Sequence, residues 1–223
     1  TQVQLTALPA LAHDDEPRSL RDLPGWPALV QLMRHRADQL PSCLGSRTPG
    51  RQLIELYVEL DLETCASLRP LAGPMPREQS LDAVLGLDDL HWSIAGEPGS
   101  GKSTLLQVTT HRLLAGGACV PVLLSVSELV LAGSVAAALA RAVEEDVPGT
   151  DPVSVVALIE AAVRAGSAVL LLDGLDEEPD SAEARRAIRG AVAELACCRV
   201  VVAGRTVAFE PQELGSGFRK LIL

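Results

Sequence analysis

Residues 96–103 constrain the fold more than any other part of the sequence. They read Gly-Glu-Pro-Gly-Ser-Gly-Lys-Ser and match the pattern G-x-x-x-x-G-K-[ST] at every fixed position. An apolar stretch at 92–95 precedes them, and residues 101–114, which follow, have the pattern of a helix. Between a buried strand and a helix, such a loop turns its backbone N–H groups inward around phosphate oxygens. The sequence therefore predicts a phosphate-binding loop in a fold that alternates strands and helices.

The glycines and side chains of this loop have separate predicted roles. The glycines let the backbone curve where a Cβ would clash, and Lys102 reaches the β- and γ-phosphates of a nucleotide. The Ser103 hydroxyl binds Mg²⁺. Lys102 is one of only two lysines beside seventeen arginines, so composition offers little reason for a lysine at this point by chance. The predicted nucleotide-binding residues are Gly96, Glu97, Pro98, Gly99, Ser100, Gly101, Lys102, Ser103 and Thr104.

A second predicted site lies at the end of the apolar stretch 168–172, where Asp173 follows directly. In enzymes with such a phosphate loop, a carboxylate at this strand end holds Mg²⁺. We therefore predict Ser103 and Asp173 as metal ligands. Asp176 and Glu177 follow within the turn, close enough to polarise a water molecule that attacks the γ-phosphate. The alternative is that these two acids are solvated and only lead into the next helix.

Arg205 is the third candidate for a catalytic role. It follows Gly204 at the end of the apolar stretch 200–203. An arginine directly after a buried strand in this kind of fold can point at the γ-phosphate end of the nucleotide. The alternative is a plain surface arginine, in a chain that carries many of them.

The rest of the chain predicts the frame for these sites. Apolar stretches at 92–95, 120–126, 168–172 and 199–203 alternate with helical stretches at 101–114, 133–145, 151–165 and 180–196. Strands that are apolar throughout and alternate with helices predict a parallel sheet covered on both faces.

The N-terminal part of the sequence has a different pattern of apolar and polar residues. One amphipathic helix is predicted at 27–40, where Leu29, Leu32, Met33 and Leu40 share a face, either packed on the domain or binding a partner. Residues 54–60 alternate apolar and polar side chains, which predicts a half-buried strand.

Charge and cysteine content exclude several classes of function. The net charge of -10 argues against a nucleic-acid-binding surface, which needs clustered lysine and arginine. Five cysteines without CxxC spacing argue against a metal or disulfide framework, and we expect buried thiols in a reducing cytoplasm. No apolar run approaches the ~18 residues that a membrane span needs, so no membrane contact is expected. Because the chain starts at Thr1 and ends on three apolar residues, we expect a fragment of a longer protein.

Two segments together resemble the NACHT family, signal-transducing ATPases related to AAA+ proteins. They are residues 94–106, around the phosphate loop, and residues 171–177, which read Leu-Leu-Asp-Gly-Leu-Asp-Glu. AAA+ relatives carry a glutamate directly after the strand aspartate, whereas NACHT proteins carry a small residue there and acids three and four places on. Gly174, Asp176 and Glu177 follow the NACHT arrangement.

Two further segments resemble the family less specifically. Residues 200–205 are similar to its sensor 1 segment, although Thr206 stands where many members have proline. Residues 56–58 are similar to the strand before the phosphate loop, where adenine is contacted in the family. The resemblance covers residues 51–223.

The resemblance implies an α/β fold, the three-layer sandwich of P-loop NTPases. Its mostly parallel five-stranded sheet would have the order 5-1-4-3-2, with 199–203 between the strands that carry Lys102 and Asp173, and with 218–223 as the fifth strand. A short, partly helical segment, residues 1–50, would precede the NACHT-type domain, residues 51–223. The helical subdomains that follow in the family would lie outside this chain.

The resemblance also implies a function. A NACHT protein is an ATP-dependent switch that hydrolyses slowly, with ATP or ADP and Mg²⁺ as ligands. Exchange of ADP for ATP would open the protein and drive homo-oligomerisation through the NTPase domain, in a defence or stress-signalling pathway of a bacterium.

Three other classes of protein share the phosphate loop. A GTPase is disfavoured because the base-reading motif Asn-Lys-x-Asp is absent from the sequence. A generic AAA+-like ATPase and a small-molecule kinase stay open. A kinase needs a mobile basic lid, for which Arg185, Arg186 and Arg189 are candidates, but on a helix we expect them to form a solvated face.

Overall fold

The computed structural model describes residues 19–38, 63–64, 81, 85, 91–178, 180–195, 197–205, 211–215 and 217–223. The strands are β1 (Glu63–Thr64), β2 (His91–Ala95), β3 (Val120–Ser125), β4 (Ala168–Asp173), β5 (Arg199–Gly204) and β6 (Phe218–Ile222). The helices are α1 (Trp26–Ala37), α2 (Lys102–Gly116), α3 (Val126–Ala132), α4 (Val135–Asp146), α5 (Pro152–Arg164), α6 (Ser181–Glu194) and α7 (Pro211–Leu214), with a 3₁₀ turn at Leu20–Asp22 before α1.

The strands form one sheet in the order β1-β6-β2-β5-β4-β3. The five strands from β6 to β3 are parallel, and β1 adds to β6 in the antiparallel sense. All five residues of β2 are buried, as are five of the six residues in both β4 and β5. Strands buried on both faces need helices on both sides of the sheet. The fold is the P-loop NTPase sandwich, and the predicted strand order 5-1-4-3-2 is confirmed; β1 is an addition at the edge.

The chain between β3 and β4 differs from the prediction. A strand at 120–126 and one helix at 133–145 were expected, but Val126 already begins α3, and α4 follows as a separate helix. The cause is a capping box: the Ser125 hydroxyl accepts from the backbone N–H of Glu128, whose side chain accepts from the Ser125 backbone N–H. Gly133, at φ 77°, ends α3 in the left-handed conformation that favours glycine.

The N-terminal helix α1 packs on the domain. The side chains of Leu29, Leu32 and Met33 are fully buried in the main apolar cluster, as the sequence predicted, while Leu40 lies outside the described residues. Gly25, just before α1, lies so close to the backbone of Ser154 in α5 that a Cβ would clash with it. These contacts make α1 part of the same core as the sheet.

Helix α1 also covers one edge of the sheet. Strand β3 is the last strand in the described sheet, and the backbone of Leu123 faces outward from it. Its N–H donates to Met33 Sδ at 3.2 Å, and its carbonyl oxygen accepts from Arg36 Nη1 at 3.2 Å. Two side chains of α1 therefore satisfy backbone groups that an edge strand would otherwise leave open.

Two expectations about side chains are wrong in part. The arginines of α6 do not all form a solvated face: Arg185 Nη1 lies 3.0 Å from Glu213 Oε2, and Arg189 Nη1 donates to the Glu213 carbonyl at 2.7 Å. Both tie α6 to α7. Of the described cysteines, all of them free thiols, Cys198 is buried and Cys119 partly buried, but Cys197 is exposed.

Some predictions cannot be compared with the fold. The predicted strand 54–60, the adenine-contacting segment 56–58 and Thr206 lie outside the described residues. A boundary between residues 50 and 51 also stays a prediction. Over the described ranges, no single helix is long and apolar enough to cross a membrane; α3 and α4 together meet the length and composition, but are bent by 107°.

Candidate functional site

The phosphate loop lies between β2 and α2, and its glycines have the conformations that the motif requires. Gly99 and Gly101 have φ values of 77° and 97°, a region that costs a residue with a Cβ about 1–2 kcal/mol. A Cβ on Gly96 would lie 2.6 Å from Ser100 Oγ and 3.1 Å from the Leu223 carbonyl oxygen. Glycine is therefore needed for conformation at Gly99 and Gly101, and at Gly96 it avoids close contacts with Ser100 Oγ and the Leu223 carbonyl.

Helix α2 begins directly after the loop without a side-chain cap from any described residue. By contrast, Asp151 and Asp180 cap α5 and α6 through their carboxylates. The first backbone N–H groups of an α-helix have no partner within the helix, and they carry the positive end of its dipole. The start of α2, at Lys102, Ser103 and Thr104, is thus suited to an anion.

The ammonium group of Lys102 lies over the loop itself. Nζ donates to the carbonyl oxygens of Gly96 at 3.0 Å and Glu97 at 2.9 Å, and to Ser100 Oγ at 3.4 Å. Gly96, Glu97 and Ser100 therefore hold the lysine. These are the three predicted binding residues that do not line the cavity described below. Their contribution is to place a cation beside the loop.

Strand β5 separates the loop from the acidic side of the site. It lies between β2 and β4, with Gly204 beside Ala95 and Val202 beside Leu172. Asp173 ends β4, is partly exposed, and accepts the Gly174 N–H on Oδ1 at 3.0 Å. Because parallel strands end at the same edge of a sheet, this carboxylate and the phosphate loop face the same opening.

The turn after Asp173 folds Glu177 back toward Gly174. Gly174 has φ 79°, and the Glu177 N–H donates to its carbonyl oxygen at 3.1 Å. A Cβ on Gly174 would lie 3.0 Å from Glu177 Oε2, so the carboxylate of Glu177 is folded back onto this glycine. The small residue is needed for the turn and for the position of Glu177.

Arg205 and Asp176 form an ion pair at the opening. Arg205 Nε lies 2.7 Å from Asp176 Oδ2, and the Arg205 backbone N–H donates to Asp176 Oδ1 at 3.0 Å. The Asp176 side chain is 13% exposed and that of Arg205 is 54% exposed. The sequence did not predict this pairing, because the patterns around Asp176 and Arg205 indicated a separate role for each residue.

One cavity of about 430 Å³ brings most of the predicted residues together. Its lining contains residues of the loop, the start of α2, the end of β4 and the end of β5. They are Pro98, Gly99, Gly101, Lys102, Ser103, Thr104, Asp173, Gly174, Asp176, Glu177 and Arg205. All five predicted catalytic residues and both predicted metal ligands are in this set.

A second cavity of about 450 Å³ shares Ser103 and Asp173 with the first. Its other walls carry charged residues that the sequence reasoning missed, above all Arg36, Glu128 and Asp146. The capping-box spacing from Ser125 to Glu128 is a signal that would have pointed to Glu128. Nothing in the sequence connects Arg36 to this region.

Ser103 and Asp173 supply a hydroxyl and a carboxylate oxygen, the type of ligand that Mg²⁺ prefers. Both line the opening beside the loop, and Ser103 is exposed. Within the described part of the chain, no three His, Cys, Asp or Glu side chains form a metal-binding cluster. A cation here would therefore take oxygens from a bound phosphate as well, which is how Mg²⁺ is usually held in phosphate-binding sites. The residues present fit a nucleotide with Mg²⁺.

The sheet order, the phosphate loop opening onto α2 and the acidic end of β4 together define a P-loop NTPase. A family model described as the NACHT domain matches residues 91–222, more than half of the chain. The chain belongs to the NACHT family.

Comparison with solved structures gives partial similarities. The chain is similar to a crystal structure of a DNA replication initiation factor, with 16% identity and a TM-score of 0.35 over 61% of this chain and 37% of that one. It is also similar to the Aeropyrum pernix Orc1 protein in complex with DNA, with 21% identity and a TM-score of 0.34 over 62% and 41% of the two chains. The chain thus spans well under two thirds of either structure. Comparison with curated proteins gives no significant match.

Proposed function

We propose that this chain binds ATP with Mg²⁺ and hydrolyses it slowly, as the nucleotide-dependent switch of a signalling protein. The observation that carries the proposal is the single cavity in which Lys102, Ser103, Asp173, Glu177 and Arg205 converge at the start of an uncapped helix. Each group is of the type that a nucleoside triphosphate and its reaction require at that place.

The roles follow from the positions of these side chains. The loop and Lys102 bind the β- and γ-phosphates, and Ser103 and Asp173 hold Mg²⁺, which neutralises charge that develops on the phosphate oxygens. Glu177, exposed at the cavity, orients and polarises the attacking water. Arg205, which follows β5 and lines the same cavity, carries a positive charge that we assign to the γ-phosphate end.

Family membership supports the finer parts of the proposal. A switch in which ADP holds a closed state, and ATP exchange leads to homo-oligomerisation in a defence or stress-signalling pathway, is how NACHT proteins work. The Arg205–Asp176 contact is a candidate for a nucleotide-sensitive element, because a bound γ-phosphate would compete with Asp176 for the guanidinium group. The free thiols agree with a cytoplasmic location.

A kinase is a weaker candidate, because the arginines suggested for its lid have other contacts. Arg185 and Arg189 bind Glu213 and hold α7 on α6, whereas a lid must move over the phosphates. Phosphate transfer to a metabolite, in place of release as inorganic phosphate, would favour the kinase.

The test is the Lys102→Ala variant in isothermal calorimetry with Mg-ATP. We expect the variant to lose measurable binding, because the ammonium group that the Gly96 and Glu97 carbonyls hold beside the loop is the cation assigned to the β- and γ-phosphates. Lys220→Ala, which removes the other lysine of the chain from β6, is the matched control and should bind as the unchanged protein does.

Equal ATP affinity in Lys102→Ala and the unchanged protein would refute the assignment of the site. The same titrations with GTP examine the base preference, and GTP binding as tight as ATP would remove the ATP part of the proposal. Release of inorganic phosphate by the unchanged protein, measured without added substrate, distinguishes hydrolysis from binding alone.

A further inference from the structure

Asp173 is paired in the sheet on one side only. On the β3 side, Ser125 is its register partner. On the β5 side, the pairing with β4 ends one residue earlier, with Leu172 opposite Val202. The sheet pairing of Asp173 itself is therefore with Ser125 at the end of β3, whereas on the β5 side it is the turn after Asp173 that is held, by the Leu175 N–H, which donates to the Ala203 carbonyl at 3.1 Å.

Ser125 is in turn fixed by Glu128. Its backbone N–H donates to Glu128 Oε2 at 2.7 Å, and its hydroxyl lies 2.9 Å from the same oxygen. The Glu128 N–H donates to Ser125 Oγ at 3.1 Å. With three hydrogen bonds between two residues, the end of β3 has little freedom to shift relative to the start of α3.

Glu128 is held by an arginine from the N-terminal helix. Arg36 donates to both carboxylate oxygens, with Nη2 at 2.6 Å from Oε1 and Nη1 at 3.1 Å from Oε2. Its Nε donates to Asp146 Oδ2 at 2.9 Å, and Nη1 also donates to the Leu123 carbonyl. The Arg36 side chain is 11% exposed. One planar guanidinium group thus joins α1, β3, α3 and α4.

Arg36 and its two acidic partners stabilise one another in their charged forms. Burial alone would raise the pKa of Glu128, but hydrogen bonds from Arg36 and Ser125 and the charge of Arg36 outweigh it and lower that pKa. Burial alone would lower the pKa of Arg36, but Glu128 and Asp146 raise it. The carboxylate therefore stays ionised and keeps its bonds to Ser125.

A cavity also connects this cluster with the proposed metal-binding side of the site. The second cavity runs from Arg36, Glu128 and Asp146 to Ser103 and Asp173.

We propose that Glu128, held by Arg36, is a positioning residue for Mg²⁺: it fixes the end of β3 and thereby orients Asp173. Helix α1 is then part of the machinery that sets metal affinity, although it lies outside the matched family region. The inference rests on the proposed function, in which Asp173 holds the metal. Removing a group that orients a metal ligand typically weakens metal binding or activity by about 10–100-fold.

The test compares binding of a non-hydrolysable ATP analogue with Mg²⁺ and with EDTA, by isothermal calorimetry, in the unchanged protein, Glu128→Gln and Glu128→Ala. We expect the same affinity in EDTA for all three. The gain in affinity on adding Mg²⁺ should fall by about tenfold in Glu128→Ala. Glu128→Gln keeps an acceptor oxygen for the Ser125 N–H, since glutamine also serves in capping boxes, and should fall between the other two.

Arg185→Gln is the control, because it breaks an ion pair with Glu213 away from the site and should leave the Mg²⁺ effect unchanged. Arg36→Lys keeps the charge but loses the fork, and it replaces Glu128→Ala as the strong variant if that protein does not fold. A general loss of stability would lower affinity in EDTA as well, and that result would overturn the inference.

The inference and the proposed function fail in different ways. An unchanged protein that binds the analogue more tightly with Mg²⁺, together with variants that show the same gain, overturns the positioning role alone. An unchanged protein that does not bind the analogue at all overturns both.

Discussion

The two carboxylates that follow Asp173 closely, those of Asp176 and Glu177, have different surroundings, which separates the roles proposed for them. Asp176 already accepts the Arg205 backbone N–H and forms an ion pair with the Arg205 guanidinium, whereas Glu177 is exposed at the cavity. We predict that Glu177→Gln lowers kcat for ATP hydrolysis by about 10²-fold or more, the usual contribution of a general base. ATP affinity should change by much less, because Glu177 is not among the groups assigned to the phosphates. Single-turnover hydrolysis and calorimetry measure the two quantities.

Asp176→Asn is the matched comparison for this prediction. It removes the charge opposite Arg205 but keeps the side-chain shape, so we expect a smaller loss in kcat than for Glu177→Gln. The reverse ranking would transfer the role of base to Asp176.

Gly174 gives a second prediction at this scale. Alanine there has to adopt φ 79° and meets Glu177 Oε2 at 3.0 Å. We expect Gly174→Ala to lose about 1–2 kcal/mol of stability from its backbone conformation and also to slow hydrolysis, because Glu177 must move. Gly133→Ala, at φ 77° with open space around its Cβ, should lose similar stability and keep its hydrolysis rate. Urea denaturation and phosphate release distinguish the two variants.

Residues of the site differ in how far the sequence could predict them. Lys102 and Ser103 could be predicted because one loop conformation needs a fixed spacing, and that spacing is visible in the sequence. The bond between Arg205 and Asp176 could not, since each follows a different strand and only the sheet order places them side by side. Arg36 could not be predicted either, because its contacts are with residues that lie far from it in the sequence.

At the scale of elements, α1 is predicted to contribute to the stability of the whole domain. Leu32→Ala removes a fully buried side chain and should lower the free energy of unfolding by about 2–5 kcal/mol. Leu131, at 72% exposure, offers a matched control, and Leu131→Ala should change it by at most about 0.5 kcal/mol. Denaturation followed by circular dichroism measures both. An unchanged midpoint for Leu32→Ala would mean that α1 unfolds separately.

Helix α3 shows where pattern reasoning failed at this scale. The run 118–143 is so apolar that neither the period of a helix nor that of a strand stands out, and the strand was extended into Val126. The hydrogen bonds of Ser125 and Glu128 decide the boundary instead. Elements with clear periods or end signals were placed within one or two residues, such as α5 after Asp151 and Pro152.

At the scale of the whole molecule, the Arg36–Glu128 contact predicts a dependence of stability on pH. The pKa of Glu128 is lowered on folding from its ordinary value of 4.5, so the unfolded chain binds the proton more tightly. The stabilisation is fully present above pH 4.5 and is lost as the pH falls through the lowered value. We expect the free energy of unfolding to fall less steeply below pH 4.5 in Glu128→Gln than in the unchanged protein. Urea denaturation at pH 5 and at pH 4 measures the free energy of unfolding of both proteins. An equal fall in that free energy between the two pH values, in the variant and in the unchanged protein, would contradict this.

The overall architecture was more predictable than its edges. Apolar strands alternating with helices required a parallel sheet, and resemblance to a family supplied the strand order. The antiparallel β1 and the position of α1 along β3 depend on contacts between residues far apart in the sequence, for which no local pattern exists.

The hydrogen bonds between α1 and the backbone of Leu123 limit how far the protein can be shortened at its N-terminal end. A version that starts at the predicted boundary, residue 51, would lack Met33 and Arg36 and leave the Leu123 N–H and carbonyl unpaired. An open, apolar edge strand is a template onto which an extended segment of another molecule adds. Shortened versions are therefore expected to aggregate, and the smallest well-behaved unit for biochemistry should keep residues 19–38.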